Sequence, residues 1–170
     1  MNVMSTIHLL STGGTIEKIY SEQTGTVQNL DSKIDRYLKM LRLPGTVVVV
    51  EPLMNKDSLE MTGADRDAVL SAVRRLLPDG APIVITHGTD TMVDTGLHLE
   101  RNLPGLAIPI VLTGAMTPLG FEGSDGLQNL TESLIAARLL QPGVWLVMHN
   151  QVFPIARVRK DRELARFVEN

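Results

Sequence analysis

The sequence predicts an α/β fold: an open parallel-sheet sandwich with helices on both faces. Three observations carry this prediction: five short apolar runs, helical stripes between them, and turns rich in glycine and hydroxyls after them. Residues 3–10, 46–50, 82–86, 108–113 and 144–148 are almost continuously apolar, as in parallel strands buried on both faces. The opening residues are too short and lack the basic start and small-residue cleavage site of a secretory leader, so they read as the first strand.

The connecting segments follow in order. Ile34, Tyr37, Leu38 and Leu41 fall on one helical stripe, and Val69, Val73, Leu76 and Leu77 on a second, closed by Pro78 and Gly80. Thr62 with Asp65 three residues on reads as a capping box with Asp in place of Glu. A shorter helix is expected over 91–102. Leu127, Leu130 and Leu134 start a last stripe that Pro142-Gly143 stops. With 170 residues and no repeat or linker, the chain reads as a single domain over 1–170.

Composition excludes several classes. A net charge of −3 argues against a nucleic-acid surface. No stretch approaches a membrane span. There are no cysteines, and the four histidines lack ligand spacing, so no metal is expected. A cytoplasmic location fits this composition.

Ligands of open parallel sheets bind beyond the carboxyl ends of the strands. Those ends read Ser11-Thr12-Gly13-Gly14-Thr15, Asp57-Ser58, His87-Gly88-Thr89-Asp90-Thr91 and Gly114-Ala115-Met116. Two glycines after a buried strand admit positive φ and close approach to the backbone, presenting Thr15 to a ligand. The same turn also fits a plain tight turn or a phosphate loop, although it is neither G-x-G-x-x-G nor a Walker loop. Thr89, Asp90 or Thr91 fits a helix cap equally well. Lys160 lies in a charged stretch that reads as solvated surface. It is useful as a base only where its proton is shared or its pKa lowered.

TGGTI after the first strand, HGTDTM after the third, and the downstream Ser124-Asp125-Gly126 with Asn129-Leu130 resemble the bacterial-type L-asparaginases. The likeness runs over essentially the whole chain and is to the family's N-terminal domain, its short single-domain members in particular. It implies that Thr15 is the nucleophile and that Thr89, Asp90 and Lys160 form the proton-handling group. It also implies that Asp57 and Ser58 hold the substrate's α-amino and α-carboxyl ends, and that Gly88 and Ala115 line the pocket, largely through backbone. The implied reaction is hydrolysis of L-asparagine to L-aspartate and ammonia through a threonine ester, without a cofactor. Such a hydroxyl attacks only when a neighbour takes its proton.

The chain departs from that pattern in three places. The family's lid carries a tyrosine ten or more residues after the nucleophile, whereas here Tyr20 is the only candidate, in a segment over 17–27 read as a mobile lid. Leu59 stands where some members have a substrate-contacting glutamine. The C-terminal domain of longer relatives has no counterpart here. Rival readings are a glutaminase or other small-amide hydrolase, and a non-catalytic amino-acid-binding module. Leu164, Phe167 and Val168 read as a helical apolar stripe that a homo-oligomer, dimer or tetramer, would cover.

Overall fold

The computed structural model describes residues 4–170. The first three residues, Val3 of the predicted first strand among them, lie outside the described residues. The strands in chain order are β1 (Ser5–Gly13), β2 (Ile19–Ser21), β3 (Thr26–Gln28), β4 (Thr46–Lys56), β5 (Ile83–Thr86), β6 (Pro109–Thr113), β7 (Gly143–Met148), β8 (Gln151–Pro154), β9 (Val158–Asp161) and β10 (Arg166–Glu169). The helices are α1 (Ile34–Leu38), α2 (Gly63–Leu76), α3 (Met92–Asn102) and α4 (Gly126–Leu139).

Six strands form the central sheet in the order β4-β1-β5-β6-β7-β8. The five predicted strands are parallel neighbours, and β8 adds an antiparallel edge. Alternate residues of each strand point to opposite faces and so feed two cores. Ile83, Ile85, Ile110, Leu112 and Leu146 pack with α2 and α3. Ile7, Leu9, Val84, Val111 and Val147 pack with α1 and α4. The capping box of α2 forms as the sequence predicts: Thr62 Oγ1 accepts from the Asp65 amide and the Thr62 amide donates to Asp65.

Topology positions the site. The chain leaves β1 for the edge strand β4 and returns to β5 on β1's other side. The crevice between the ends of β1 and β5 is therefore the switch point, where neighbouring connections diverge and leave room for a ligand.

Three expectations change. The run at 46–50 is not buried on both faces: β4 is an edge strand, and Val47 and Val49 are 39% and 45% exposed. The segment over 17–27 is not a plain loop. It enters on a 3₁₀ turn, Thr15–Glu17, and then forms the β2–β3 hairpin. The C-terminal stripe is not a helix. Residues 158–169 make the β9–β10 hairpin, which pairs Phe167 with Lys160 and sends Phe167 into the core. Phe167 is thus covered by its own domain, while Leu164 stays 56% exposed. No helix among the described residues is long and apolar enough to cross a membrane.

Candidate active site

The turn after β1 requires both of its glycines. Gly13 and Gly14 have φ of 101° and 77°, and a Cβ at Gly13 would stand 2.4 Å from the Lys56 amide nitrogen. A Cβ at Gly14 would stand 2.3 Å from the amide nitrogen of Gly88. The missing side chains let the ends of β1, β4 and β5 touch backbone to backbone, so the TGGT and HGTD turns form one surface. The Gly14 amide donates to the Lys56 carbonyl at 2.8 Å. Asn29 Nδ2 donates to the Gly14 carbonyl at 2.8 Å and to Asn55 Oδ1 at 2.9 Å. Thr15 then opens the 3₁₀ turn, half-buried, while Ile16 and Glu17 anchor it below. The Glu17 carboxylate is buried and accepts the hydroxyls of Ser11 and Ser32.

Ser58 closes another side. It is buried, and a Cβ on Gly88 would stand 2.4 Å from its Oγ. Asp57 caps the following 3₁₀ turn, accepting from the Leu59 amide at 3.0 Å, and Lys18 Nζ reaches its other oxygen at 2.5 Å. The Lys18 hydrogen bond holds the Asp57 carboxyl below its ordinary range, against the opposing effect of burial. Together Lys18, Asn29, Asn55 and Asp57 border a polar cavity of about 330 Å³ beneath the hairpin.

His87 governs the backbone of the second turn. It is fully buried, with Nδ1 2.8 Å from the Gly88 carbonyl and Nε2 2.8 Å from Thr95 Oγ1. A carbonyl only accepts, so Nδ1 carries the proton and Nε2 accepts from Thr95. Burial pushes the imidazole down to about 4, only partly offset by the Gly88 bond, and the ring is neutral. The Gly88 carbonyl and the Thr89 N–H share one trans peptide and point in opposite directions. Holding the carbonyl toward His87 therefore turns the Thr89 N–H the other way.

Thr89, Asp90 and Lys160 come together although 70 residues separate the last two. Lys160 Nζ donates to Thr89 Oγ1 at 2.8 Å and to Asp90 Oδ1 at 2.9 Å. The strand β9 explains how a lysine in a charged stretch reaches this position. Alternation puts Val158 in the core and Lys160 on the same side, while Arg159 faces solvent. The capping alternative does not describe this turn. Thr91 occupies the N-cap of α3 without a side-chain cap, and its hydroxyl donates to the Ser58 carbonyl at 2.8 Å.

Ser124-Asp125-Gly126 with Asn129 supports the turn after β6. Asp125 accepts from the amides of Met116 and Thr117 at 3.0 and 2.9 Å, from His149 Nε2 at 2.7 Å and from Asn129 at 2.9 Å. Burial pushes its carboxyl up, and these donors outweigh it, leaving the group below its usual range. Ala115 is fully buried in the α1/α4 core, so it offers the site only backbone.

Of the residues singled out in the sequence, Thr15, Asp57, Ser58, Gly88, Thr89, Asp90, Ala115 and Lys160 lie on the joined strand ends or on the hairpin covering them. Tyr20 does not join their hydrogen-bonded cluster: it sits on β2 opposite Val27, 57% exposed. Sequence reasoning missed Lys18, Asn29, Asn55, His87 and Arg162. Their partners are distant in the chain or, for His87, chosen by the tertiary fold, and no local pattern marks them.

A strand order with its switch point between β1 and β5, carrying hydroxyls, a lysine and carboxylates at the crevice, defines an α/β protein with a polar small-molecule site. The family model described as asparaginase, N-terminal, matches residues 6–166, and the chain belongs to that family. It is 31% identical to the L-asparaginase of Thermococcus kodakarensis over 92% of this chain and 48% of that one. It is 32% identical to L-asparaginase 1 of Escherichia coli K12 over 91% of this chain and 47% of that one. The solved T. kodakarensis enzyme superposes with a TM-score of 0.87, covering 96% of this chain and 51% of its own. The chain thus spans about half the length of these relatives.

Proposed function

We propose that this protein is an amidohydrolase that converts L-asparagine to L-aspartate and ammonia through an ester on Thr15. The observation that carries the reading is the Lys160 side-chain amine joining Thr89 and Asp90, beside the Gly14–Gly88 contact that brings Thr15 to the same edge. The Thr15 hydroxyl attacks the side-chain amide carbon. Its proton enters the Thr89–Lys160–Asp90 chain and returns to the nitrogen as ammonia leaves. Water then attacks the Thr15 ester by the same route, releasing aspartate. The amides of Thr15 and Thr89 face the developing oxyanion, and such donors are worth about 3–4 kcal/mol each. Asp57 and Ser58 receive the polar ends of the substrate, while Gly88 and Ala115 contribute backbone. Tyr20 belongs to a lid that closes over bound substrate, since its exposed hairpin lies beside the nucleophile turn.

A binding module needs no nucleophile, so the two readings separate in one experiment. Purified protein is expected to release ammonia from L-asparagine, whereas the glutaminase alternative calls for faster release from L-glutamine, a difference of one methylene that is worth about 1–3 kcal/mol. Thr15→Val is expected to stay folded and lose several orders of magnitude in kcat, as other enzymes do without their nucleophile. Near-normal turnover by folded Thr15→Val would falsify the assignment. Tight binding of asparagine without ammonia release would instead support the binding module.

The same reading places the protein in the cytoplasm as a dimer or tetramer. Ile135 and Leu139 of α4 and Val152 of β8 are exposed, an apolar face suited to a second copy. Sedimentation at micromolar concentration tests it, and a purely monomeric active enzyme would refute it.

A further inference from the structure

Glu17 is a buried carboxylate that the proposed reaction does not use. It closes the 3₁₀ turn that Thr15 opens, and it is only 1% exposed. An apolar side chain would fill such a place more cheaply, because a buried carboxylate gives up its hydration. Both of its oxygens are taken by hydroxyls: Ser11 Oγ donates to Oε2 and Ser32 Oγ to Oε1. The two serines come from different directions. Ser11 is fully buried on β1, opposite Thr86 of β5. Ser32 lies beyond the end of β3, so Glu17 and Ser32 flank the β2–β3 hairpin and their bond closes its base. The bond from Asn29 Nδ2 to the Gly14 carbonyl, at 2.8 Å, closes the same base beside it. Above the base the hairpin carries the exposed Tyr20 and Val27. Below it the carbonyls of the turn are all engaged. Gly14 also accepts from the Glu17 amide at 3.2 Å, Thr15 from the Lys18 amide at 3.1 Å, and Ile16 from the Leu119 amide at 3.2 Å. The Thr15 hydroxyl takes no part in these bonds, so its place is set by the backbone of the turn.

A lid that grows directly out of the nucleophile turn poses a mechanical problem. Movement of the hairpin passes into the chain on either side of it, and Thr15 stands just before β2. A misplacement of about 1 Å lowers a rate on the order of a hundredfold. A carboxylate that grips the sheet with one oxygen and the far end of the hairpin with the other stops that movement at the base. We infer that Glu17 is a positioning residue: it locks the Thr15 turn to β1 through Ser11 and clasps the base of the hairpin through Ser32, so the lid moves while the nucleophile stays in place. This rests on the amidohydrolase reading of the site and adds to it the device that holds Thr15 still. Hydrogen bonds of this kind behind a reacting group keep it within the narrow range of productive geometry. Glutamine preserves the length, one acceptor oxygen for one serine, and an amide that donates to the other serine's oxygen. Alanine removes both grips.

The test compares wild type with Glu17→Ala, Glu17→Gln and Ser32→Ala. Ser32 is exposed, so the last variant leaves the core intact and keeps the test open where Glu17→Ala does not fold. On L-asparagine, kcat is expected to fall about a hundredfold in Glu17→Ala and about tenfold in Ser32→Ala, with KM as in wild type. Glu17→Gln should recover most of kcat. Hydrogen exchange reads the clasp without turnover. The amides of Glu17 and Lys18, which close the turn, should exchange about tenfold faster in Glu17→Ala and in Ser32→Ala, while those of β5 and β6 keep their wild-type rates. Faster exchange across the whole sheet would make Glu17 a plain packing residue and overturn the inference. Unchanged kcat in folded Ser32→Ala, or a loss that falls on KM and not on kcat, would overturn it as well. If wild type releases no ammonia, the amidohydrolase reading fails. The inference about Glu17 then stands or falls on whether exchange at Glu17 and Lys18 rises alone.

Discussion

His87 makes the stability of this protein depend on pH in a calculable way. Its imidazole is fully buried and held neutral, with its pKa pushed from 6.5 to about 4 by loss of hydration. In the unfolded chain the same ring protonates at its ordinary pKa. Below 6.5 the unfolded state therefore binds a proton that the folded state refuses, and stability falls with pH until the folded ring also protonates near 4. The contribution is complete above pH 6.5 and lost across the interval down to about 4. The shift corresponds to about 3 kcal/mol in all, with a slope of about 1 kcal/mol per pH unit midway. Urea unfolding of wild type and His87→Gln at pH ~7 and ~4.5 measures it. Glutamine keeps a donor for the Gly88 carbonyl and an acceptor for Thr95 but does not titrate. Wild type should lose about 2 kcal/mol more than the variant between the two pH values. Equal losses would mean that His87 is not held neutral inside the fold, and the argument that it orients the Gly88–Thr89 peptide would lose its basis. Below 3.8 the sign stays the same but the groups change. Asp65, drawn down to about 2 by Lys56 and Thr62, and Asp57 and Asp125, both lowered, then lose their stabilising charge as pH falls through their folded values.

Two further predictions concern the scaffold of the site. Gly88→Ala places a methyl group 2.4 Å from Ser58 Oγ and 2.5 Å from its Cβ. The Ser58 turn must move, so stability should fall by about 1–3 kcal/mol and turnover by about a hundredfold, measured by urea unfolding and ammonia release. Unchanged kinetics would show that Ser58 need not be where it is. Asp125→Ala leaves the Met116 and Thr117 amides without their acceptor and Asn129 with the Gly114 carbonyl alone, which should cost about 2–4 kcal/mol. Asp125→Asn should recover part of this, and a loss below ~0.5 kcal/mol for Asp125→Ala would refute a bracing role.

What the sequence by itself determined is what short-range physics controls. Continuous apolar runs ended by glycine or polar turns specify the five strands, four of them buried as expected, because a strand covered on both faces has no polar alternation to show. Thr62 and Asp65 close their capping box because its partners are three residues apart. Gly13 and Gly14 were readable as positions of close approach, since only glycine relieves positive φ together with backbone contact. The order of elements placed Thr15, Ser58 and Thr89 at one edge, because parallel strands with return connections put all their carboxyl ends on the same side.

Only the tertiary structure decided which strand lies at the edge and which polar side chains meet. A run of valines at 46–50 looks the same whether one neighbour or two flank it, and the exposure of Val47 and Val49 follows from the place of β4 in the sheet. Leu164, Phe167 and Val168 have helical spacing, yet Asp161 accepts from the Leu164 amide, Ala165 takes φ 48°, and the chain doubles back as a hairpin. A turn without glycine leaves no local mark. Lys160 and Arg162 read as surface charge until that hairpin lays them against Asp90. The tautomer of His87, the buried Glu17 between Ser11 and Ser32, and the grip of Asp125 on the β6 turn share this origin. Periodicity states which face a residue is on, whereas hydrogen bonds and ion pairs depend on which group stands opposite. In this chain that group is tens of residues away, brought near by the packing of the sheet.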